Sequence, residues 1–369
     1  MKKEIRIFDL TFDEEFREKF FSGAKQILDE GFLANHTFVR EFEQKFAEVC
    51  RAKYALGVTN GTSAIEIPLR ALDVKGKEVI LGTNTFIATA VAIENAGGIP
   101  VPVDIEDQHF SMSPEKLKEA ITPETAAVVV IHIAGLVTPR MREIQAICRE
   151  HDLPLVEDCA QAFGSEWNGI MVGNFGAAGA FSFHTTKLMT AGEGGMVITS
   201  DDKLYDIMRS VRQYGMVLTN PLVHERSGSN FKMTEFSALL GLCELDRRDK
   251  RIGQRQKLAH RYQERLKGSS WRTLMPAGGG TTGYYKQIVL SPVPRQEAAE
   301  RFAKEKIALT GGVYFVPIHR QPIYQDQFRD EDYPVANYFA ETHICPPCYP
   351  ELNVEDIDRI CDVLLDIKR

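Results

Sequence analysis

Between Tyr54 and Asp201 short apolar runs alternate with helix-forming segments, and this alternation limits what the chain can fold into. The runs predict strands at Tyr54–Val58, 77–83 (KEVILGT), Gly98–Val103, 126–135 (AAVVVIHIAG), 153–158 (LPLVED), 178–183 (AGAFSF) and 195–201 (GMVITSD). Between them Ala64–Leu72, Ala88–Ala96, 113–121 and Pro139–His151 read as helices, the third opened by Ser113 as a cap with Pro114 in its first turn. Strands separated by helices argue for a largely parallel sheet covered on both faces, an α/β three-layer αβα sandwich. Such sheets collect their ligands at the carboxyl ends of the strands. Thr62, Phe86, His132 and Asp158 all fall at or just beyond such ends.

The flanks extend this plan. Residues 13–30 place Phe16, Phe20, Ala24 and Ile27 on one helical face, and Gly31 stops the helix. A second amphipathic helix carries Phe38, Phe42 and Phe46, which read as core. After a helix over Asp202–Tyr214, residues 215–230 lack periodicity and read as a loop. A charged helical pattern from Met233 to Leu266 connects to a smaller α+β section. That section has predicted strands at Tyr284–Leu290 and Gly312–Val316, a helix at Gln296–Lys306 and a terminal helix from Val354. The expected division is a large domain over 1–250 and a small one over 251–369. Gly278–Gly283 satisfies G-x-G-x-x-G, but a strand follows where the dinucleotide fingerprint needs a helix, so it reads as a flexible linker.

Composition excludes several function classes. The net charge of −7 gives no reason to expect nucleic acid or an anionic membrane as partner. No apolar run reaches the ~18 residues of a membrane-spanning helix. The first residues carry two lysines without the apolar core of a signal peptide. Seven scattered cysteines suggest free thiols in a reducing, cytoplasmic setting. Cys345-Pro-Pro-Cys348 lacks the second pair that a zinc site needs and reads as a proline-rich loop, so no metal is expected.

The chemistry concentrates in residues 153–199. Asp158 ends an apolar strand; Ser182, Lys187 and the glycines 192, 194 and 195 follow. An acid, a hydroxyl and a lysine in this order point to pyridoxal 5'-phosphate, which needs an amine, a carboxylate facing its pyridine nitrogen and donors for its phosphate. The Asn60-Gly61-Thr62-Ser63 turn feeds a helix N-terminus, where free N–H groups and the helix dipole favour a phosphate. Alone, that turn reads more readily as an ordinary helix cap. Gln161 is placed to reach the phenolic oxygen, Phe86 to stack on the ring, and Ser182 to join Thr62 and Ser63 on the phosphate. His132, ending an apolar strand, reads as a satisfied core histidine, and His184 as a packing or orienting residue.

These motifs carry a resemblance. NGTSAIE, TFIATA, IHIAG, EDCAQAFGS, FSFHTTKLMTAGEGG, GSNFKMTEFSALL, YFVPIHRQPIY and PPCYPEL follow one another over residues ~30–355 as they do in the DegT/DnrJ/EryC1/StrS sugar aminotransferase family. The resemblance implies the fold type I, aspartate aminotransferase-like architecture, with Lys187 as the Schiff-base lysine, Asp158 on the pyridine nitrogen and Gln161 on the phenolic oxygen. Phe86 would stack on the ring, and Thr62 and Ser63, beside Gly61 in the cradle, would bind phosphate with Ser182. It also implies a homodimer, with Asn230 reaching the phosphate of the neighbouring subunit's cofactor. Relatives with histidine at the lysine position perform dehydration, so Lys187 favours transamination. The implied reaction moves an amino group from glutamate or glutamine to a keto sugar, most readily a nucleotide-linked one. The alternatives are a 3-amino-5-hydroxybenzoate synthase-like dehydration, amination of an inosose cyclitol, and a cofactor-binding regulator without turnover. Tyr314, His319 and Arg320 are candidates for substrate contact on position alone. Three features depart from the family's pattern. Pro68 is expected to distort its helix, Asn35-His36 stand where a glycine is frequent, and Lys232 stands where an arginine is common.

Overall fold

The computed structural model describes residues 3–309 and 312–367. Two helices come first, α1 (Glu14–Glu30) and α2 (Thr37–Cys50). Asp13 caps α1 by accepting from the Phe16 amide, and Gly31 ends it at φ 74°. Asn35, between the helices, has φ 55°, a left-handed conformation that asparagine tolerates and that accounts for glycine being acceptable there.

The alternating region then builds the sheet. In order come β1 (Tyr54–Val58), α3 (Gly61–Ala71), β2 (Glu78–Gly82), α4 (Ile87–Asn95), β3 (Ile99–Val103), α5 (Pro114–Ala120), β4 (Thr125–Ile131), α6 (Met141–Glu150) and β5 (Leu155–Asp158). A small pair, β6 (Glu166–Trp167) and β7 (Ile170–Met171), precedes β8 (Ala178–Ser182) and β9 (Gly195–Thr199). The seven-stranded sheet has the order β1-β9-β8-β5-β4-β2-β3. β9 runs antiparallel to both its neighbours and the other pairings are parallel.

Both faces of the sheet are covered. Along β4, Val128 and Val130 join the core formed with α1, α2, α6 and α8 (Glu235–Asp246), while Ala127, Val129 and Ile131 join the core under α3, α4 and α7 (Asp202–Arg212). This two-sided burial is why β4 reads as a continuous apolar run. α3 continues through Pro68, contrary to the expected distortion. One N–H is lost, but Ile65, Ile67 and Leu69 are all buried and hold the helix.

Several other expectations change. Residues 216–224 form a hairpin of β10 (Met216–Val217) and β11 (Asn220–His224), not a loop. The Met233–Leu266 pattern is broken at Arg247 into α8 and α9 (Arg248–Leu266). Beyond β12 (Arg272–Thr273), the glycine-rich segment contributes β13 (Gly280–Thr281), which pairs with β6, so it is an anchored strand and not a flexible linker. The strand expected at Tyr284–Leu290 shrinks to β14 (Val289–Leu290). Then come α10 (Arg295–Lys304), α11 (Pro334–Thr342), β15 (His343–Ile344) and α12 (Val354–Leu365). A third core joins Leu258 and Tyr262 of α9, Phe302 of α10 and Ile360 of α12. Ile5 belongs to it too, bridging to Ile307, so the N-terminal segment packs with the C-terminal body.

Candidate active site

A cleft of about 580 Å³ opens at the carboxyl ends of β5 and β8. Gly61, Thr62, Phe86, Asp158, Gln161, Ser182, Lys187 and Tyr314 line it, although they come from five separate segments of the chain. Each owes its place to a local cause.

At one end lies the N-terminus of α3. Asn60 caps it, its side chain accepting from the Ser63 amide at 2.8 Å. The first amides of any helix have no acceptor within it, and those of Gly61 and Thr62, which Asn60 does not take, are available to an anion. Glycine at 61 is a packing requirement, because a Cβ there would lie 2.7 Å from Ser182 Cβ and 2.9 Å from its Oγ. Ser63 is buried, does not line the cleft, and shares a hydrogen bond with Thr59 Oγ1 at 3.0 Å. Its hydroxyl therefore also braces the turn.

Deeper in the cleft, Asp158 is only 6% exposed. Its Oδ1 accepts from the Ala160 amide at 3.0 Å and its Oδ2 from Thr89 Oγ1 at 2.8 Å. Thr89 gives its one proton to that carboxylate, so Thr85, 2.9 Å away, donates to Thr89. Among the described residues no lysine, arginine or histidine lies within 4 Å of Asp158 to form an ion pair. A buried carboxylate with hydrogen-bond donors but no cation is suited to a cationic partner from outside the chain. Gln161 is held at both ends of its amide, with Oε1 accepting from Ala134 N at 2.7 Å and Nε2 donating to Tyr314 Oη at 2.6 Å. Phe86 presents a ring that is 55% exposed, 5.7 Å from the Tyr314 ring.

Lys187 lies in the turn after β8, where its amide donates to His184 O at 2.9 Å. It is half-buried, and its Nζ stands 4.8 Å from the centre of the Tyr285 ring. Tyr285 was not singled out by sequence reasoning, and neither was Thr89. Burial pushes the Tyr285 hydroxyl up, but the charges of Lys187 and Lys286 and a hydrogen bond with Thr186 outweigh it, so the net shift is downward. Nothing local in GYYKQ announces this contact; the fold brings the tyrosine under the lysine. Thr89 had a weak signal, three residues after Phe86 in the same TFIATA segment.

The C-terminal body delivers Tyr314. Its amide donates to Asn84 Oδ1 at 3.0 Å, and Asn84 Nδ2 donates to Val313 O at 3.2 Å. The Val313 amide donates to His343 Nε2 at 2.9 Å. With their groups committed to side chains, residues 312–316 form no ladder, which is why the expected strand is absent. His319 and Arg320 are not brought to the cleft. His319 is bonded to Thr83 Oγ1 at 2.7 Å and Asn337 Oδ1 at 2.9 Å, and Arg320 pairs with Asp330 and Glu341. Both fasten the C-terminal body to itself, and His319 also ties it to Thr83 at the end of β2. His132 also lies outside the cleft; its Nε2 donates to Glu157 Oε2 at 2.9 Å, and Glu157 further accepts the amides of Gly173, Phe175 and Gly176. Asn230 is exposed on its own chain and absent from the cleft lining.

His343 makes the Tyr314 segment sensitive to acid. Its Nδ1 donates to Phe339 O and its Nε2 accepts from Val313, so the fold requires the neutral ring. Burial lowers its pKa from 6.5 to about 4. The unfolded chain therefore takes up this proton first, and the folded state loses stability as pH falls from about 6.5 to about 4, by roughly 3 kcal/mol in all. Urea unfolding at pH 7 and pH 5 should show the loss. A His343→Asn variant should be less stable at pH 7 and should lack this part of the pH dependence.

An αβα sandwich with a lysine, an uncompensated buried carboxylate, an exposed aromatic face and a helix N-terminus in one cleft fits the needs of pyridoxal phosphate. The chain belongs to the DegT/DnrJ/EryC1/StrS aminotransferase family, which it matches over residues 14–365. It is similar to the UDP-N-acetyl-3-dehydro-alpha-D-glucosamine 3-aminotransferase of Acidithiobacillus ferrooxidans, at 34% identity over 94% of this chain and 93% of the relative. The GDP-perosamine synthase of Vibrio cholerae is 30% identical over 91% of this chain and 93% of its own. Among solved structures, DesV of S. venezuelae superposes with a TM-score of 0.93 at 29% identity, covering 98% of both chains. The protein is thus a pyridoxal-phosphate-dependent aminotransferase of fold type I.

Proposed function

We propose that this enzyme transfers an amino group from glutamate or glutamine to the keto group of a nucleotide-linked deoxysugar, in amino-sugar biosynthesis. The observation that carries the proposal is the placement of Lys187 in one cleft with Asp158 and the α3 N-terminus. The names of the relatives, which act on GDP-, UDP- and dTDP-linked amino sugars, support the substrate class. They do not favour the dehydratase, cyclitol or regulatory alternatives.

Bound pyridoxal phosphate supplies an electron sink for a carbanion next to nitrogen. The chain's own groups do the rest. Lys187 would hold the cofactor through its amine and would move a proton at the substrate carbon as general base and acid. Asp158 keeps a ring nitrogen protonated, and the Thr85–Thr89 relay holds its carboxylate in place. Gln161 orients toward the phenolic oxygen while Tyr314 fixes its amide. Phe86 covers one ring face. Gly61, Thr62 and Ser182 take the phosphate, with Ser63 shaping their turn.

The working unit in this reading is a homodimer. The exposure of Asn230 leaves it available to reach the phosphate in a second copy. The chain would divide near residue 250 into a large cofactor-holding domain (1–250) and a small domain (251–369), the segment around Ile5 being added to the latter. All seven cysteines are buried and none forms a disulfide among the described residues, which supports a cytoplasmic setting. No helix among the described residues is long and apolar enough to cross a membrane.

The test is incubation of the holoenzyme with glutamate and a panel of nucleotide-linked keto sugars and cyclitol ketones. Mass spectrometry should find an amino sugar and stoichiometric 2-oxoglutarate with at least one nucleotide-linked sugar. Turnover of cyclitol ketones alone would refute the substrate class.

A further inference from the structure

Lys187 Nζ lies 4.8 Å from the centre of the Tyr285 ring, inside the ~6 Å over which a ring face attracts a cation. Among the described residues no Asp or Glu forms an ion pair with Lys187. Tyr285 is held from two sides. Arg255 Nη1, on α9, donates to the carbonyl of Tyr285 at 3.4 Å and to that of Tyr284 at 3.1 Å. The Tyr285 hydroxyl is hydrogen-bonded to the side chain of Thr186, the residue just before Lys187. Backbone and hydroxyl are thus both fixed, and the second bond ties the ring to the turn that carries the lysine.

The ring and the amine are also coupled electrostatically. Burial pushes the Tyr285 hydroxyl up, and the charge of Lys187 leads the causes that bring its net shift downward. An amine that takes a proton from a substrate carbon becomes an ammonium, and giving the proton back restores the amine. Each turnover therefore places a full positive charge on Nζ in a half-buried position. A carboxylate beside it would compete for the proton and would hold the amine charged throughout. A ring face attracts the ammonium and takes no proton itself.

We propose that Tyr285 is a positioning residue for the proton transfer, its ring face holding the Lys187 nitrogen in place and stabilising the positive charge whenever the proton is on it. The inference rests on the role of Lys187 in the aminotransferase reading above. Other charged or titratable groups surround the pair: Arg255 and Lys286 near the ring, Tyr314 from the C-terminal body, and Asp158, His184 and Glu193 along the cleft. They are common to the wild type and to variants at 285, so a difference between those proteins reports the ring.

Tyr285→Phe keeps the ring, whereas Tyr285→Met and Tyr285→Leu remove it and leave an apolar side chain. In the cofactor-loaded enzyme, the pH at which the visible band changes reports the proton on the Lys187 nitrogen and needs no turnover. Loss of the ring withdraws support from the charged form, so the midpoint should fall by about one pH unit in both the Met and Leu variants. Their kcat should fall by about tenfold, with the KM values for donor and keto sugar within about twofold of wild type. Tyr285→Phe should match the wild type in midpoint and stay within about threefold in kcat. Using two ring-free variants keeps the test open if one of them folds poorly, which thermal melting would show. Equal midpoints in wild type and the ring-free variants would overturn the proposal. So would a Phe variant as impaired as the Met variant, which would move the role to the hydroxyl. A visible band that persists in Lys187→Ala removes the lysine assignment itself. A band lost in Lys187→Ala but titrating normally without the ring removes only the role of Tyr285.

Discussion

Replacing Lys187 with alanine is expected to abolish the visible absorbance of the cofactor-loaded enzyme and to lower transamination by about 10⁴-fold. In its proposed role the amine both anchors the cofactor and moves the substrate proton, so both readouts should fall together. The fold should survive. Lys187 is half-buried and takes part in no ion pair among the described residues, so its stability contribution should stay within about 0.5 kcal/mol. Lys187→Arg separates charge from chemistry. It keeps a cation near the Tyr285 ring but cannot supply a neutral amine, and it should be as inactive as the alanine variant. A visible band that persists in Lys187→Ala, at the wild-type wavelength and intensity, would remove Lys187 from its proposed role.

The second large effect is expected at Asp158. Asp158→Asn is nearly isosteric, and its amide oxygen can still accept from Ala160 N or Thr89. What it loses is the negative charge in a site that is 6% exposed, where charge stabilisation is strong because water does not screen it. The kcat should fall by about 10²–10³-fold, the range for removing one pre-organised electrostatic group, with the melting temperature little changed. Thr89→Val should give a smaller loss, since it removes a hydrogen bond that positions the carboxylate and leaves the charge. Steady-state kinetics with a fixed keto sugar would check both. A kcat for Asp158→Asn within a few-fold of wild type would contradict the assignment.

Much of this site is legible in the chain because its residues sit at strand ends, and the strands are apolar enough to read. β2, β4, β8 and β9 are largely buried on both faces and read as mainly apolar runs, and β5 follows the apolar run from Leu153 to Val156 before Glu157 and Asp158. Asp158 and Ser182 mark where two of those runs stop. The hairpin at 216–224 gives no such signal, since β11 is exposed at every position and nothing selects its apolar residues. β6, β7 and β13 have two residues each, too few for any period to show. The strand expected over Tyr284–Leu290 is cut short because Arg255 binds the carbonyls of Tyr284 and Tyr285, and Tyr284 turns to φ 49°. A competitor from a distant helix decides that outcome, and no window of local sequence contains it.

By itself, then, the order of residues was enough to determine the sandwich and the cofactor class, and to single out the lysine proposed to hold the cofactor. Those features depend on local period and on motifs whose spacing is set within a few turns of chain. Only the tertiary structure decided that Ser63 braces its turn, that His319 and Arg320 serve the C-terminal body, and that Tyr285 stands beside Lys187. Each of these is a question of which partner a polar group meets after burial, and burial brings together groups that are far apart in the chain.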